Sequence, residues 1–596
     1  MNDYIAYLNS LHNIKPAGAN ALAESQALSP HFKGIYEPFP LAARLHEALS
    51  QSSDTVIILT GHAGDGKTTV AIDVFQRLTG CAAAEPLASP MREFESVILP
   101  DGRQVAIVKD MSELSAELRM QYLTDAFSKG GSWLIISNTG PLLQAIDKYG
   151  KSVDVKTADE STLLRLMDLP FDGSDLVPHT MGAFAKPLTI VNMARIDNVA
   201  SAVKVLSRMV SHPSWANCSG CVAESRCALR KNRQAVADMG EVVQQRVRWV
   251  YQRLNAYDQR MTMRQMVAHL ALSLTGGINC EDAIAYANDA EMLQSNHPGL
   301  ERILFSESFF GFQRGEEWHE VSQIRAISLL KKQPFGGPIA PDYSRQSALP
   351  DVKRWIRLAA DLLAVRDVWM QHGDSSSNSR LRYAVRRMEF FFGSANPLIG
   401  ESVEKIERFF DSFLQSPKVR AYDEWRAAGA MALDGGSMSM LKRSILSVLL
   451  EYYSGFSTGQ LSGQNDSVFL TLRRPGKNTV QPTQLVVAQL DFKNFSIRFD
   501  TDRRIPYLAY LDDKARLPLA LPLLDYIQDR SAGRLGRGLA PIYQAQLETF
   551  RAHLLKAEES RDNDAAGVVL LRADISGAAT LHRYTLVNKD QQLQKI

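Results

Sequence analysis

Thr55–Leu78 reads TVIILTGHAGDGKTTVAIDVFQRL, and three patterns follow one another in it. TVIIL is a short β-branched run of the kind that forms a buried parallel strand. GHAGDGKT, from Gly61 to Thr68, matches G-x-x-x-x-G-K-[ST] at every fixed position. VAIDVFQRL places Val70, Val74, Phe75 and Leu78 at helical spacing. Strand, loop and helix in this order form a phosphate-binding turn. Gly61, Gly64 and Gly66 let the backbone curl so that its N–H groups face phosphate oxygens, and the helix N-terminus adds partial positive charge. Lys67 would reach the β- and γ-phosphates and Thr68 would ligate Mg²⁺. His62, Ala63, Asp65 and Thr69 complete the stretch that would touch nucleotide. Asp65 is an acid inside an anion site and is expected to point away from the phosphates. The expected ligand is a nucleoside triphosphate, ATP; the alternative is a glycine-rich turn that binds nothing.

Such a loop needs a second strand ending in an acid. QVAIVKDMSEL, Gln104 to Leu114, provides it: Val105 to Val108 form the strand, and Asp110 would hold the water shell of Mg²⁺. Asp101-Gly102 just before it is a hairpin turn signal, so this strand also reads as a hairpin arm. Met111 occupies the place, directly after this Asp, where many P-loop ATPases carry Glu. Glu113 is then the candidate base, or simply an acid opening the next helix. SWLIISNTG, Ser132 to Gly140, ends a further strand at Asn138, which would orient the attacking water or cap a turn. LTIVNMARIDN, Leu188 to Asn198, adds a fourth strand, with Arg195 just past it as a possible phosphate sensor or a surface arginine. SELSAELRMQYLTDAF and STLLRLMDL between these strands read as helices. Alternating β and α elements imply a parallel sheet with ligands at the strand C-terminal ends.

This order of elements resembles the AAA+ and STAND-type NTPases over roughly residues 35–300. By that resemblance Asn138 matches sensor 1. TMRQMVAHLALSLTGG, Thr262 to Gly277, resembles the lid helix, capped by Thr262 and ended by Gly276-Gly277. Arg264 in its first turn would be sensor 2, or a solvated helix arginine. The implied fold class is an α/β P-loop NTPase domain with an AAA+-like parallel sheet and a helical lid. A mostly helical middle region and a β-rich C-terminal region follow.

The rest of the composition bounds the partners. The chain has 596 residues, enough for roughly three or four domains. A net charge of +2 gives no global basic field, so a nucleic acid would need a local patch. The first residues, MNDYIAYLNSLHNIKP, lack the basic start and unbroken apolar core of a secretory signal. No apolar run approaches the ~20 residues of a membrane helix, so the expected location is the cytoplasm and no membrane contact is expected. The five cysteines, Cys81, Cys218, Cys221, Cys227 and Cys280, are too few for a disulfide framework. Cys218, Cys221 and Cys227 form C-x2-C-x5-C, a zinc-knuckle spacing. Cys280 or His212 would be the fourth ligand of a structural Zn²⁺, the alternative being a reduced, metal-free loop.

Residues 300–460 read as mostly helical, with an amphipathic face in DVKRWIRLAADLLAVRDVWM and a polar loop GDSSSNSR, residues 373–380. LRYAVRRMEFFF carries Arg382, Arg386 and Arg387 beside Tyr383 and Phe390, with Arg380 just before it. This could contact a nucleic-acid backbone, but a solvated helix face packed on an aromatic core is the commoner explanation of such a pattern. From about Ser467 the pattern alternates like strands, interrupted by the basic loop DRSAGRLGRGL. The expected divisions are a helical extension at 1–34, the NTPase domain at 35–200, the lid with the zinc knuckle at 201–300, a helical domain at 301–460 and a β-rich domain at 461–596.

GHAGDGKTT, KDMSEL, the C-x2-C-x5-C cluster and the helical-then-β tail together resemble bacterial defence-associated ATPases of the DptF/DndF-like kind, from phosphorothioate-linked restriction. Members often carry Ser where this chain has Thr68. The resemblance implies an ATPase motor or switch subunit, working with other subunits of a defence complex against foreign DNA. Two other functions fit the same motifs: a STAND-like signalling switch that oligomerises on ATP binding, and a scaffold with a structural nucleotide.

Overall fold

The computed structural model describes residues 2–12, 27–52, 54–82, 85–152, 166–167, 176, 178–179, 186–289, 299–333, 335–336, 356–373, 379–461, 466–472, 482–534, 538–559, 567–587 and 592–595. Most of the helix read at 161–169, most of the polar loop at 373–380, and residues 535–537 of the basic loop lie outside the described residues. So do Val352 and Trp355 of the amphipathic stretch. The chain forms two compact units, Met1–Gln415 and Ser416–Ile596, so the boundary falls inside the stretch read as one helical domain.

The first unit is built on a mixed five-stranded sheet. Its strands are β1 (Val56–Thr60), β2 (Phe94–Ile98), β3 (Gln104–Val108), β4 (Ser132–Ile136) and β5 (Leu188–Asn192), in the spatial order β2-β3-β4-β1-β5. β1 lies at the interior of the sheet and is buried at all five residues, as its unbroken apolar run requires. It pairs in parallel with β4, Ile57 opposite Leu134, and with β5, Thr60 opposite Asn192. β3 pairs in parallel with β4. β2 joins β3 antiparallel, so β3 is both a hairpin arm and the acid-ended strand.

Side chains along each strand alternate between the two faces. Ile57, Leu59, Val105, Ile107, Leu134 and Ile136 pack on one side. They meet Leu41, Ala42 and Leu45 of the helix Pro40–Gln51 and Val70, Ala71 and Val74 of the helix Lys67–Leu78. Val56, Ile58, Val108 and Ile135 face the other side, against Leu123 and Phe127 of the helix Ala116–Ser128 and Leu142 and Ile146 of the helix Thr139–Ser152. Burying both faces of the inner strands leaves their ends, together with the edge strand β2, as the exposed part of the sheet. The loops after β1, β3, β4 and β5 all emerge at one end, since those four strands run parallel.

A helical region follows, containing Asn198–Ser211, Ala228–Asp238, Gly240–Ala256 and Met263–Thr275. The last begins with a capping box, in which the Thr262 hydroxyl accepts from the Gln265 N–H and the Gln265 side chain accepts from the Thr262 N–H. It ends at Gly276, whose φ of 59° is the left-handed cap conformation. The second unit carries a five-stranded and a three-stranded antiparallel sheet, with the helices Leu521–Ser531 and Pro541–Glu559 between strands. Much of LPLALPLLDYI lies in the first of these helices. Among the described residues no helix is long and apolar enough to cross a membrane.

Candidate functional site

The loop between β1 and the helix Lys67–Leu78 turns on glycines. Gly61, Gly64 and Gly66 have φ of 143°, 89° and 93°, a region that side-chain-bearing residues rarely enter. His62 and Ala63 form the exposed crest, Asp65 and Lys67 are buried, and Thr68 and Thr69 are half-buried in the first turn of the helix.

Lys67 is held by acceptors alone. Its Nζ donates to the His62 carbonyl at 2.8 Å, to the Gly61 carbonyl at 3.3 Å and to Asn138 Oδ1 at 2.9 Å. Burial pushes its pKa below the usual lysine range; Asp65 and Asp110 raise it and Arg264 lowers it. Asn138 and Lys67 are therefore in contact, and Asp110 and Arg264 are near enough to act on the same ammonium.

The strand ends are fastened to one another. Asp110 Oδ1 accepts the Ser112 N–H at 2.8 Å and so caps the short 3-10 turn Met111–Glu113. The Ser112 hydroxyl accepts the Asn138 N–H at 2.6 Å and lies 3.3 Å from the Ser137 hydroxyl. Ser112 thus joins the end of β3 to the end of β4, a role that no motif announced. Glu113 is exposed at the close of the 3-10 turn, and Arg195 is exposed just past β5.

Asp65 turns under the loop. It is fully buried; its Oδ2 accepts the His62 N–H at 2.9 Å and its Oδ1 pairs with Arg260 at 2.8 Å. Arg260 also reaches the Met193 carbonyl after β5, at 3.3 Å. The Arg264 N–H donates to the Gly64 carbonyl at 3.1 Å. The start of the helix Met263–Thr275 therefore lies directly on the glycine-rich loop. Arg260 sits in YDQRMT, a stretch without any recognisable pattern, and only the fold brings it to Asp65.

These residues fit a phosphate chain. A buried ammonium, positive-φ glycines and a helix N-terminus are groups whose chemistry would suit an anion. Thr68 and Asp110 are the oxygen donors available for Mg²⁺.

Cys218, Cys221 and Cys227 belong to a separate region. Burial raises the Cys227 thiol pKa, and Cys218 and Cys221 are near enough to add to that. Cys218 Sγ accepts from the Asn2 side chain at 3.3 Å. Cys280 is the first residue of the helix Cys280–Asn288. His212 is stacked on Tyr4 at 3.9 Å, its Nδ1 accepting the Ser214 N–H at 3.2 Å, with a further backbone hydrogen bond to His31. Among the described residues no group of three or more His, Cys, Asp or Glu is arranged to hold a metal ion.

The arginine-rich helix Ser379–Phe392 turns part of its charge inward. Arg387 forms a two-pronged pair with the fully buried Glu307, and Arg386 is buried. Neither is presented to a nucleic-acid backbone.

No family model, curated protein or solved structure matches the chain.

Proposed function

We propose that the chain binds Mg-ATP on the loop from Gly61 to Thr68 and hydrolyses it. In this reading it is a motor or switch subunit of a bacterial antiviral complex directed at DNA. The nucleotide part rests chiefly on Lys67: a buried ammonium at the C-terminal end of an α/β sheet, clasped by loop carbonyls and by Asn138. A phosphate oxygen would replace those acceptors with a better-matched charge. Thr68 and Asp110 would hold the metal and Glu113 would take a proton from water. Asn138 and Arg264 would sense the phosphate end, as sensors do in AAA+ proteins. Bound ATP supplies the anhydride bond; these side chains bind, orient and move the proton.

The defence role rests on the resemblance of these motifs to those of DptF/DndF-like ATPases. The closeness of the Arg264 backbone to Gly64 favours a switch, because whatever fills the loop also bears on the helix Met263–Thr275. That contact suits the STAND-like reading equally. Phosphate release by the full-length protein, measured alone and with single- and double-stranded DNA, separates the two. DNA-stimulated turnover is expected. Turnover indifferent to every DNA form would reject the DNA-directed role, and ATP binding without turnover would leave the scaffold reading.

A further inference from the structure

An acid in the middle of an anion-binding loop is an electrostatic contradiction. Asp65 is fully buried, so water screens its charge poorly, and its neighbours in the chain are the glycines that would face phosphate. Its two oxygens have one partner each: the His62 N–H, from the loop itself, and the Arg260 guanidinium, from a segment remote in sequence. Among the described residues, Arg260 supplies the one full countercharge in direct contact with this carboxylate.

We propose that Arg260 is a positioning residue for the phosphate loop. It neutralises the Asp65 carboxylate, keeping the loop receptive to an anion, and it ties the loop to the start of the helix Met263–Thr275. Three contacts converge within a few residues. Arg260 spans Asp65 and the Met193 carbonyl, the Arg264 N–H meets the Gly64 carbonyl, and Thr262 Oγ1 lies 2.9 Å from where a Gly64 Cβ would be. The Asp65–Arg260 ion pair, the Arg260 hydrogen bond to Met193 and the Arg264–Gly64 hydrogen bond thus join the loop to the end of β5 and to the start of the helix. In the absence of Arg260 a buried carboxylate would lose its contact countercharge, leaving Lys67 as the nearby cation to offset it beside the incoming phosphates.

This inference rests on the nucleotide reading, and a double-variant cycle separates the two. Binding of a fluorescent ATP analogue with Mg²⁺ is titrated on the full chain for wild type, R260A, R260K, D65N and D65N/R260A, with folding checked by circular dichroism. R260A is expected to bind about tenfold or more weakly. D65N/R260A is expected to recover most of that loss, since the charge needing neutralisation is gone. A second readout uses no nucleotide: amide exchange at Arg264 should quicken in R260A. If wild type binds and R260A binds as tightly, the inference is wrong. If the double variant stays as weak as R260A, Arg260 acts on phosphate directly and the neutralising role is rejected. Should R260A fail to fold, R260K and D65N/R260A carry the comparison: R260K should keep binding, and a double variant weaker than R260K by the same tenfold would overturn the proposal. If wild type fails to bind, the nucleotide reading itself fails.

Discussion

Lys67 Nζ donates to Asn138 Oδ1 at 2.9 Å, joining the loop after β1 to the end of the neighbouring strand β4. The same ammonium is held by two loop carbonyls. Removing it should leave the loop without its charge, so K67A is expected to weaken ATP binding about tenfold or more and to abolish turnover. N138A should behave differently, lowering kcat by about tenfold or more while affinity falls less. Titration and phosphate release on both variants test this. Wild-type turnover in K67A would reject the site.

Glu113 is exposed at the end of the turn that Asp110 caps. Its freedom from the core means that E113Q should fold as wild type does. A general base contributes about a hundredfold or more, so turnover should fall on that scale, with a much smaller change in ATP affinity. Intact turnover would remove Glu113 from the mechanism and leave hydrolysis to another group.

His269 is wholly buried on the helix Met263–Thr275, between the Tyr251 hydroxyl at 2.8 Å and the Phe309 carbonyl at 2.7 Å. Burial lowers its pKa to about 4, and the Phe309 hydrogen bond only partly offsets this. The ring is therefore neutral when folded and protonates more readily when unfolded. Its contribution is fully present above the unfolded value of about 6.5 and is lost as pH falls towards 4, by up to about 3 kcal/mol. Urea unfolding at pH 7.5 and pH 5 should show lower stability at pH 5, and H269Q should flatten that difference. An unchanged slope in H269Q would show that other groups set the acid limit.

Cys221 is exposed and Cys227 is not, while burial raises the Cys227 thiol pKa. A bound zinc ion would reverse that shift by favouring the thiolate. If the cluster gathers a zinc ion, purified protein would carry about one zinc per chain and C221S would lose it, although the described cysteines are not arranged around a metal. Zinc content that is the same in C221S and wild type would sink the structural-zinc idea.

The α/β core was legible because its signals are local. VIIL, Val56 to Leu59, is apolar at every position and β1 is buried at every position; Thr262 and Gly276 bound their helix by cap chemistry that neighbouring residues supply. Asp110 and Asn138 were legible as strand ends for the same reason. Arg260 and Ser112 were not, because their roles depend on which strands and helices become neighbours. Arg386 and Arg387 looked like a charged surface because Glu307, which buries Arg387 as an ion pair, is distant in sequence and lies on another helix.

The Thr262 hydroxyl both caps its own helix and stands where a side chain at position 64 would have to go. Position 64 is therefore fixed from outside the loop as well as within it. An alanine there would have to displace a helix cap, and a larger residue at 262 would have to find room over the loop. The two positions are not free to vary separately, however far apart they lie in the chain. A variant library randomised at both should return glycine at 64 paired with a small capping residue at 262, even under selection for folding alone.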